Sequence, residues 1–249
     1  MKRHIAYFDF LGYKEFVLNN NSEYLKTRIG HILVGIEQAL SEGRLQEPKN
    51  GRVLSDTSTT RINCLNISDT VIFWTNDDSI ESLEELLRVA YRFNLTQVLS
   101  NFPVRGIIYF DELEMLSGKQ TNTVGAIYSA NLIYGKGLAK AHLMCENLNW
   151  AGSAIDETVI NQINGKVDVE EFLKPFAKIY NVPYTKPERH TKEGYALRLV
   201  KGNHNKVSFK NAEDGIVRAF KSDNKTFDKP RVQEILANTI SYLETFKEE

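Results

Sequence analysis

The stretch His4-Ile-Ala-Tyr-Phe-Asp-Phe-Leu-Gly-Tyr13 constrains this chain more than any other. Ile5, Tyr7 and Phe8 are apolar and Ala6 is small, so the run reads as a buried strand rather than a half-exposed one. Asp9 closes it, and a carboxylate out of water needs a cation or several donors. Taken alone, Asp9 reads first as the N-cap of a helix, because Leu11-Gly12-Tyr13 leads into Lys14-Glu-Phe-Val17. A second stretch, Asn66-Ile-Ser-Asp-Thr-Val-Ile-Phe-Trp74, places Asp69 directly before another buried apolar run. Two acids, each at the edge of a central strand, make a site for a hard divalent cation that takes oxygen ligands.

Bulk properties narrow the classes. The 249 residues suit one domain with additions, and 42% hydrophobic with 25% charged residues is ordinary for a soluble globular protein. Lys plus Arg (31) nearly balances Asp plus Glu (32), which leaves no broad field for polyanions. Nucleic acid is therefore not an expected partner, although a small basic pocket is compatible with this balance. Cys64 and Cys145 are too few and too isolated for a disulfide framework or a zinc site. No apolar run approaches the ~20 residues that a membrane helix needs. Met1-Lys-Arg-His enters an acid-containing strand, which is not the pattern of a signal peptide. A cytoplasmic protein with no membrane partner is the expectation.

Periodicity then orders the chain. After the first strand a short helix breaks at Asn19-Asn-Asn21, and Ser22 caps a long helix through Leu25, Ile29, Ile32, Ile36 and Leu40. Residues 43–60 are polar and turn-rich, hence loop. Residues 61–67 and 70–75 form a hairpin with Ser68-Asp69 at its junction. A helix over 80–100 carries one apolar stripe, and a third central strand spans 103–110 with Arg105 near its start. Residues 111–114 and 118–122 read as polar connection; 124–128 fits either a short strand or a turn. A glycine-opened helix over 134–146, a short strand over 150–156 and a helix over 157–163 follow. In the tail, helices are expected over 169–179, 211–220 and 229–247, a loop over 183–190 and a strand over 194–201. The order fits an α+β sandwich, a mixed, mainly antiparallel sheet with helices on one face. The expected division is 1–164 for the main domain and 165–249 for an α-rich extension that packs on it or on a dimer interface.

Four stretches in this order resemble the class III nucleotidyl cyclase catalytic domain, and more closely the bacterial Pycsar-type pyrimidine nucleotide cyclases. They are Tyr7-Phe-Asp-Phe-Leu-Gly-Tyr13, Ile67-Ser-Asp-Thr-Val-Ile-Phe73, Val104-Arg-Gly-Ile-Ile-Tyr109 and Tyr134-Gly-Lys-Gly-Leu-Ala-Lys-Ala-His-Leu-Met144. The resemblance covers roughly residues 4–163 and implies a ferredoxin-like cyclase sandwich. It implies a metal-dependent enzyme that cyclises UTP or CTP to a 3′,5′-cyclic nucleotide and pyrophosphate, as an anti-phage signal read by a downstream effector. It also implies a homodimer with sites across the interface. Two Mg2+ or Mn2+ ions would be held by Asp9, Asp69 and the carbonyl of Phe10. Amide groups of Leu11, Gly12 and Tyr13 would cradle phosphate.

The departures from the family pattern are informative. Purine cyclases read the base with a lysine and an acid at places that hold Leu65 and Leu132 here, which disfavours ATP. One residue away lie Asn66 and Asn131, which can read an amide edge; both are also ordinary turn residues. The family's helix asparagine and arginine fall at Ala139 and Leu143, neither of which can donate. Arg105, Lys136, Lys140 and His142 are the candidate replacements. Arg105 suits either a phosphate or an acid at the sheet edge, whereas Lys136 and Lys140 read first as a solvated face. A cyclase-like nucleotide-binding module without catalysis is the rival reading, and an unrelated α+β interaction protein with both acids as caps is a third.

Overall fold

The computed structural model describes residues 1–47, 54–100, 102–201 and 206–247. Residues 48–53 of the expected 43–60 loop lie outside the described residues. The first strand, β1 (Lys2–Phe10), leads through Gly12 into α1 (Tyr13–Asn19) and α2 (Ser22–Leu40). Gly12 has φ 80, the left-handed turn that only glycine adopts at no cost. Asn21 rather than Ser22 caps α2, its side-chain oxygen accepting from the Tyr24 amide at 3.0 Å. β2 (Asn63–Ile67) and β3 (Thr70–Trp74) form the expected hairpin, followed by α3 (Ile80–Ser100) and β4 (Val104–Glu112).

Next come β5 (Glu114–Thr121), β6 (Ile127–Tyr134), α4 (Lys136–Asn147), β7 (Ser153–Ile155), α5 (Glu157–Ile163) and α6 (Val169–Leu173). β8 (Ala177–Tyr184), β9 (His190–Leu197), α7 (Lys206–Lys221) and α8 (Pro230–Glu244) complete the chain. Seven strands share one sheet in the order β2-β3-β1-β4-β7-β9-β8. Among the described residues every neighbouring pair is antiparallel except β4 with β7, so the mixed, mainly antiparallel α+β architecture stands.

β1 is apolar over residues 5–8 because both its faces are covered there. Phe8 and Phe10 face α3, where the Phe93 ring lies 4.9 and 6.2 Å from theirs. Ile5, Tyr7 and Asp9 face the other way, toward α4. A Cβ on Gly137 of α4 would meet Ile5 Cδ1 at 2.8 Å, and Tyr7 Oη lies 3.0 Å from His142 Nδ1. α2, α3 and α7 thus form the helical layer expected on one face, and α4 lies against the opposite face over β1 and β4.

Three expected elements are corrected. Residues 111–122 are not polar connection: β5 pairs with β6 as a separate two-stranded sheet, and β5 is exposed along most of its length, so no apolar alternation marks it. The helix expected over 169–179 ends at Leu173, and the chain then enters β8, which continues through Pro183 to Tyr184 and shortens the expected 183–190 loop. The last strand runs four residues earlier than expected, over His190–Leu197. Residues 165–249 therefore supply two strands of the main sheet as well as helices.

Candidate functional site

Backbone pairing brings the two acids together. Asp9 sits opposite Thr70 on β3 and opposite Arg105 on β4. The Phe10 amide donates to the Asp69 carbonyl at 2.8 Å, which pins the β2–β3 turn against the end of β1. That turn is tight: Ser68 has φ 55, a conformation most non-glycine residues avoid. The Asp9 carboxylate accepts from Arg105 Nε at 2.9 Å, and a second guanidinium nitrogen lies 2.8 Å from the same oxygen. The third Arg105 nitrogen donates to the Glu146 carbonyl at 2.8 Å, so the C-terminal turn of α4 fixes this side chain. Asp69 makes no side-chain hydrogen bond or ion pair among the described residues.

Burial lifts the Asp9 carboxyl above the usual carboxylate range, Arg105 opposes the shift, and the negative charge of Asp69 adds to it. The two carboxylates therefore repel each other, and among the described residues Arg105 is the one cation paired with either. A positive charge placed there would relieve both, which is the chemistry a hard cation supplies. Among the described residues no group of three or more His, Cys, Asp or Glu side chains could hold a metal. The donor set is instead two carboxylates plus backbone carbonyls, which fits an ion that keeps waters and takes further oxygens from a phosphate.

Beside the acids the chain opens. The Leu11 amide donates to the Pro103 carbonyl at 2.8 Å, so of the expected phosphate-cradling amides this one is taken. The amides of Gly12 and Tyr13 make no hydrogen bond among the described residues, as at any helix start. Leu11, Gly12, Lys14, Arg105, Lys225 and Arg231 border a cavity of about 360 Å³. A second cavity of about 640 Å³ lies alongside, bordered by Arg105, Glu146, Asn149, Lys186, Arg189 and Arg231.

The remaining expected residues are dispersed. The Phe10 ring is buried among Phe93, Phe102 and Tyr13, so only its backbone reaches the site. Asn66 is exposed on β2, its amide donating to the Thr70 carbonyl at 3.0 Å. Asn131 lies on β6 opposite Ser117, in the separate two-stranded sheet. Lys140 pairs with Asp111 at 2.8 Å and Lys136 with Glu112 at 3.6 Å. Those acids are at the far end of β4, six residues or roughly 20 Å from Arg105. Within one chain, neither lysine joins Asp9 and Asp69.

Sequence reasoning left out Tyr7 and Glu146, which lie beside Asp9, and Arg231, which borders the same cavities as Arg105. Tyr7 stands two residues before Asp9 on the same face, its hydroxyl between His142 Nδ1 at 3.0 Å and the Thr70 hydroxyl at 3.3 Å. Burial pushes the Tyr7 hydroxyl up to about 12, so it stays protonated as a hydrogen-bonding post. The period of two from Asp9 was the available signal. Glu146 and Arg231 carry no such signal, since each is one charge on an amphipathic helix.

No protein-family model matches the chain, and no curated protein matches it. Solved structures of similar trace include the catalytic core of a rhodopsin-guanylyl cyclase with converted specificity in complex with ATPαS. It is 8% identical, with 79% of this chain and 96% of that one covered and a TM-score of 0.48. The guanylate cyclase domain of RhGC from Catenaria anguillulae in complex with GTP is also 8% identical, covering 80% and 97%, TM-score 0.47. The adenylyl cyclase CyaB from P. aeruginosa is 11% identical, covering 82% and 97%, TM-score 0.46. At this similarity, what those proteins bind or make is theirs.

Proposed function

We propose that this chain is a metal-dependent nucleotidyl cyclase that converts a pyrimidine nucleoside triphosphate, UTP or CTP, to a 3′,5′-cyclic nucleotide and pyrophosphate. The observation that carries the reading is the pinning of the Asp69 turn against the end of β1, which brings Asp69 within electrostatic reach of the Asp9 carboxylate that Arg105 holds at the edge of a cleft. In the reaction the ribose 3′ oxygen attacks the α-phosphorus, the bond to the bridging oxygen of the β-phosphate breaks, and pyrophosphate carries the leaving charge. Such transfers rely on positioning and charge neutralisation more than on covalent chemistry.

Asp9, Asp69 and the Phe10 carbonyl would hold Mg2+ or Mn2+, which when bound lowers the pKa of the attacking hydroxyl and neutralises charge on the phosphates. Asp9 orients Arg105, which borders both cavities. Tyr7 and His142 brace β1 against α4 and keep the carboxylate face in place. Leu65 and Leu132, where purine cyclases carry a lysine and an acid, support a pyrimidine over ATP. Exposed Leu143 on α4 and exposed Leu116, Ile127, Tyr128 and Leu132 on β5 and β6 support a homodimer that covers them. An anti-phage signalling role follows the pyrimidine product in this proposal.

The test is pyrophosphate release and cyclic product, by mass spectrometry, from purified protein with Mn2+ and each of ATP, GTP, CTP and UTP. A cyclic pyrimidine nucleotide that disappears in Asp9→Ala and Asp69→Ala is the expected result. Undiminished turnover in both variants would overturn it. Tight nucleotide binding without pyrophosphate release would instead establish a catalytically silent module.

A further inference from the structure

We infer that the C-terminal tail completes the phosphate end of this site, and that Arg231, in the first turn of α8, is a polyphosphate-binding residue for it. The inference rests on the cyclase reading for its substrate but not for its ligand chemistry. The two cavities beside Asp9 meet at two side chains they share, Arg105 and Arg231. Six cations border them, Lys14, Arg105, Lys186, Arg189, Lys225 and Arg231, against two carboxylates, Glu15 and Glu146. The chain as a whole carries a net charge of −1, so this is a local concentration of positive charge and not a general background.

Several of these charges are already committed, and subtracting them singles out Arg231. Glu15 is neutralised by Lys229 and also accepts from the Thr226 amide at 2.7 Å. Arg189 pairs with Glu234 at 2.9 Å, and Lys225 turns its Nζ inward to the Ala219 carbonyl at 2.9 Å. Arg105 is held by Asp9 and the Glu146 carbonyl. Arg231, Lys14 and Lys186 make no ion pair among the described residues. Only Arg231 of these three borders both cavities. A guanidinium at such a junction suits bidentate contact with phosphate oxygens.

The position of Arg231 is built, not accidental. Asn19 and Asn20 at the end of α1 donate to the carbonyls of Asn224 and Asp223, both at 2.8 Å. The Lys225 stem packs on Gly12, where a Cβ would lie 3.0 Å from Lys225 Cδ. These contacts lock the segment that feeds α8 onto α1 and the turn after Asp9, more than 200 residues earlier in the chain. The ligand class is a linear polyphosphate: the β- and γ-phosphates of the substrate, or the pyrophosphate product.

The test measures binding of inorganic tripolyphosphate to the full chain by calorimetry, and KM and kcat with the substrate identified above. Arg231→Ala is expected to weaken tripolyphosphate binding about 10-fold or more and to raise KM. Arg231→Lys should recover part of the loss. Arg231→Gln, which keeps the stem, covers the case in which the alanine variant does not fold. Unchanged tripolyphosphate affinity in a variant that melts like the parent, or no binding by the parent itself, would overturn the assignment. Turnover lost in Asp9→Ala with Arg231→Ala unaffected would sink this inference and leave the cyclase reading standing. Tripolyphosphate binding that depends on Arg231, without any cyclic product, would do the reverse.

Discussion

His4 is fully buried on β1, and neither ring nitrogen is hydrogen-bonded. Burial lowers its pKa to about 4 from an ordinary 6.5, with Asp78 opposing the shift. Between those values the unfolded chain binds a proton that the folded chain refuses, so stability falls as the solution is acidified. From pH 7 to pH 5 the loss is about 2 kcal/mol, and below pH 4 this residue costs nothing further. His4→Leu should flatten that stretch of the profile, as read from urea midpoints at pH 7 and pH 5. An undiminished pH dependence in the variant would place the acid sensitivity elsewhere. At this scale the pair Asp9 and Asp69 was legible, because an acid closing an apolar run stands out against its neighbours, and Arg105 stood out for the same reason. Arg231 was not, because a single arginine in the first turn of α8 looks like any solvated position until the fold brings it to the cavity that Gly12 borders.

Among the elements, α4 shows how closely packing depends on glycine. Gly135 precedes the helix with φ 145, and a Cβ there would lie 2.3 Å from the Glu112 carbonyl oxygen, a backbone atom that cannot step aside. A Cβ on Gly137, two residues later, would lie 2.8 Å from Ile5 Cδ1 and 2.9 Å from the same carbonyl. The N-terminus of α4 thus rests directly on the end of β4, and its C-terminus then delivers the Glu146 carbonyl to Arg105. Gly135→Ala should cost about 3 kcal/mol, from a strained backbone and a displaced helix. It should also weaken whatever Arg105 does, so a fall in denaturation midpoint and in turnover together is the expected pattern. A stable variant with normal turnover would show that α4 need not rest there. The glycine-opened helix could be read from sequence because its apolar spacing and its glycines agree. β5 could not, since a strand exposed along its length carries no alternation, and β8 was masked by the helical spacing of the short α6 before it.

Over the whole molecule, the last quarter of the chain is bound to the first. β8 and β9 extend the sheet begun by β1, and the Tyr242 hydroxyl on α8 donates to the Ala196 carbonyl at 2.9 Å. The strongest link is Asp223, whose side chain is fully buried. Its carboxylate accepts from Arg28 Nε at 2.7 Å and from a second Arg28 nitrogen at 3.0 Å, and from the Tyr24 hydroxyl at 2.9 Å. Burial works to raise its pKa, but Arg28 outweighs that and holds the carboxyl below the usual range. Lys225, buried beside it with its own pKa lowered to about 8 by desolvation, depends on the same charge. Removing the carboxylate takes the counter-charge from one largely buried guanidinium and one buried ammonium, and breaking a buried pair in this way costs roughly 3–5 kcal/mol. Asp223→Ala should therefore lower the unfolding free energy from urea titration by that amount, while Asp223→Asn, which keeps the shape and part of the hydrogen bonding, should lower it less. Because the same segment positions Arg231, each variant should also lose tripolyphosphate affinity under conditions where it remains folded. An unfolding free energy within about 0.5 kcal/mol of the parent would show that the tail is docked by its apolar contacts alone and that Asp223 merely decorates the junction.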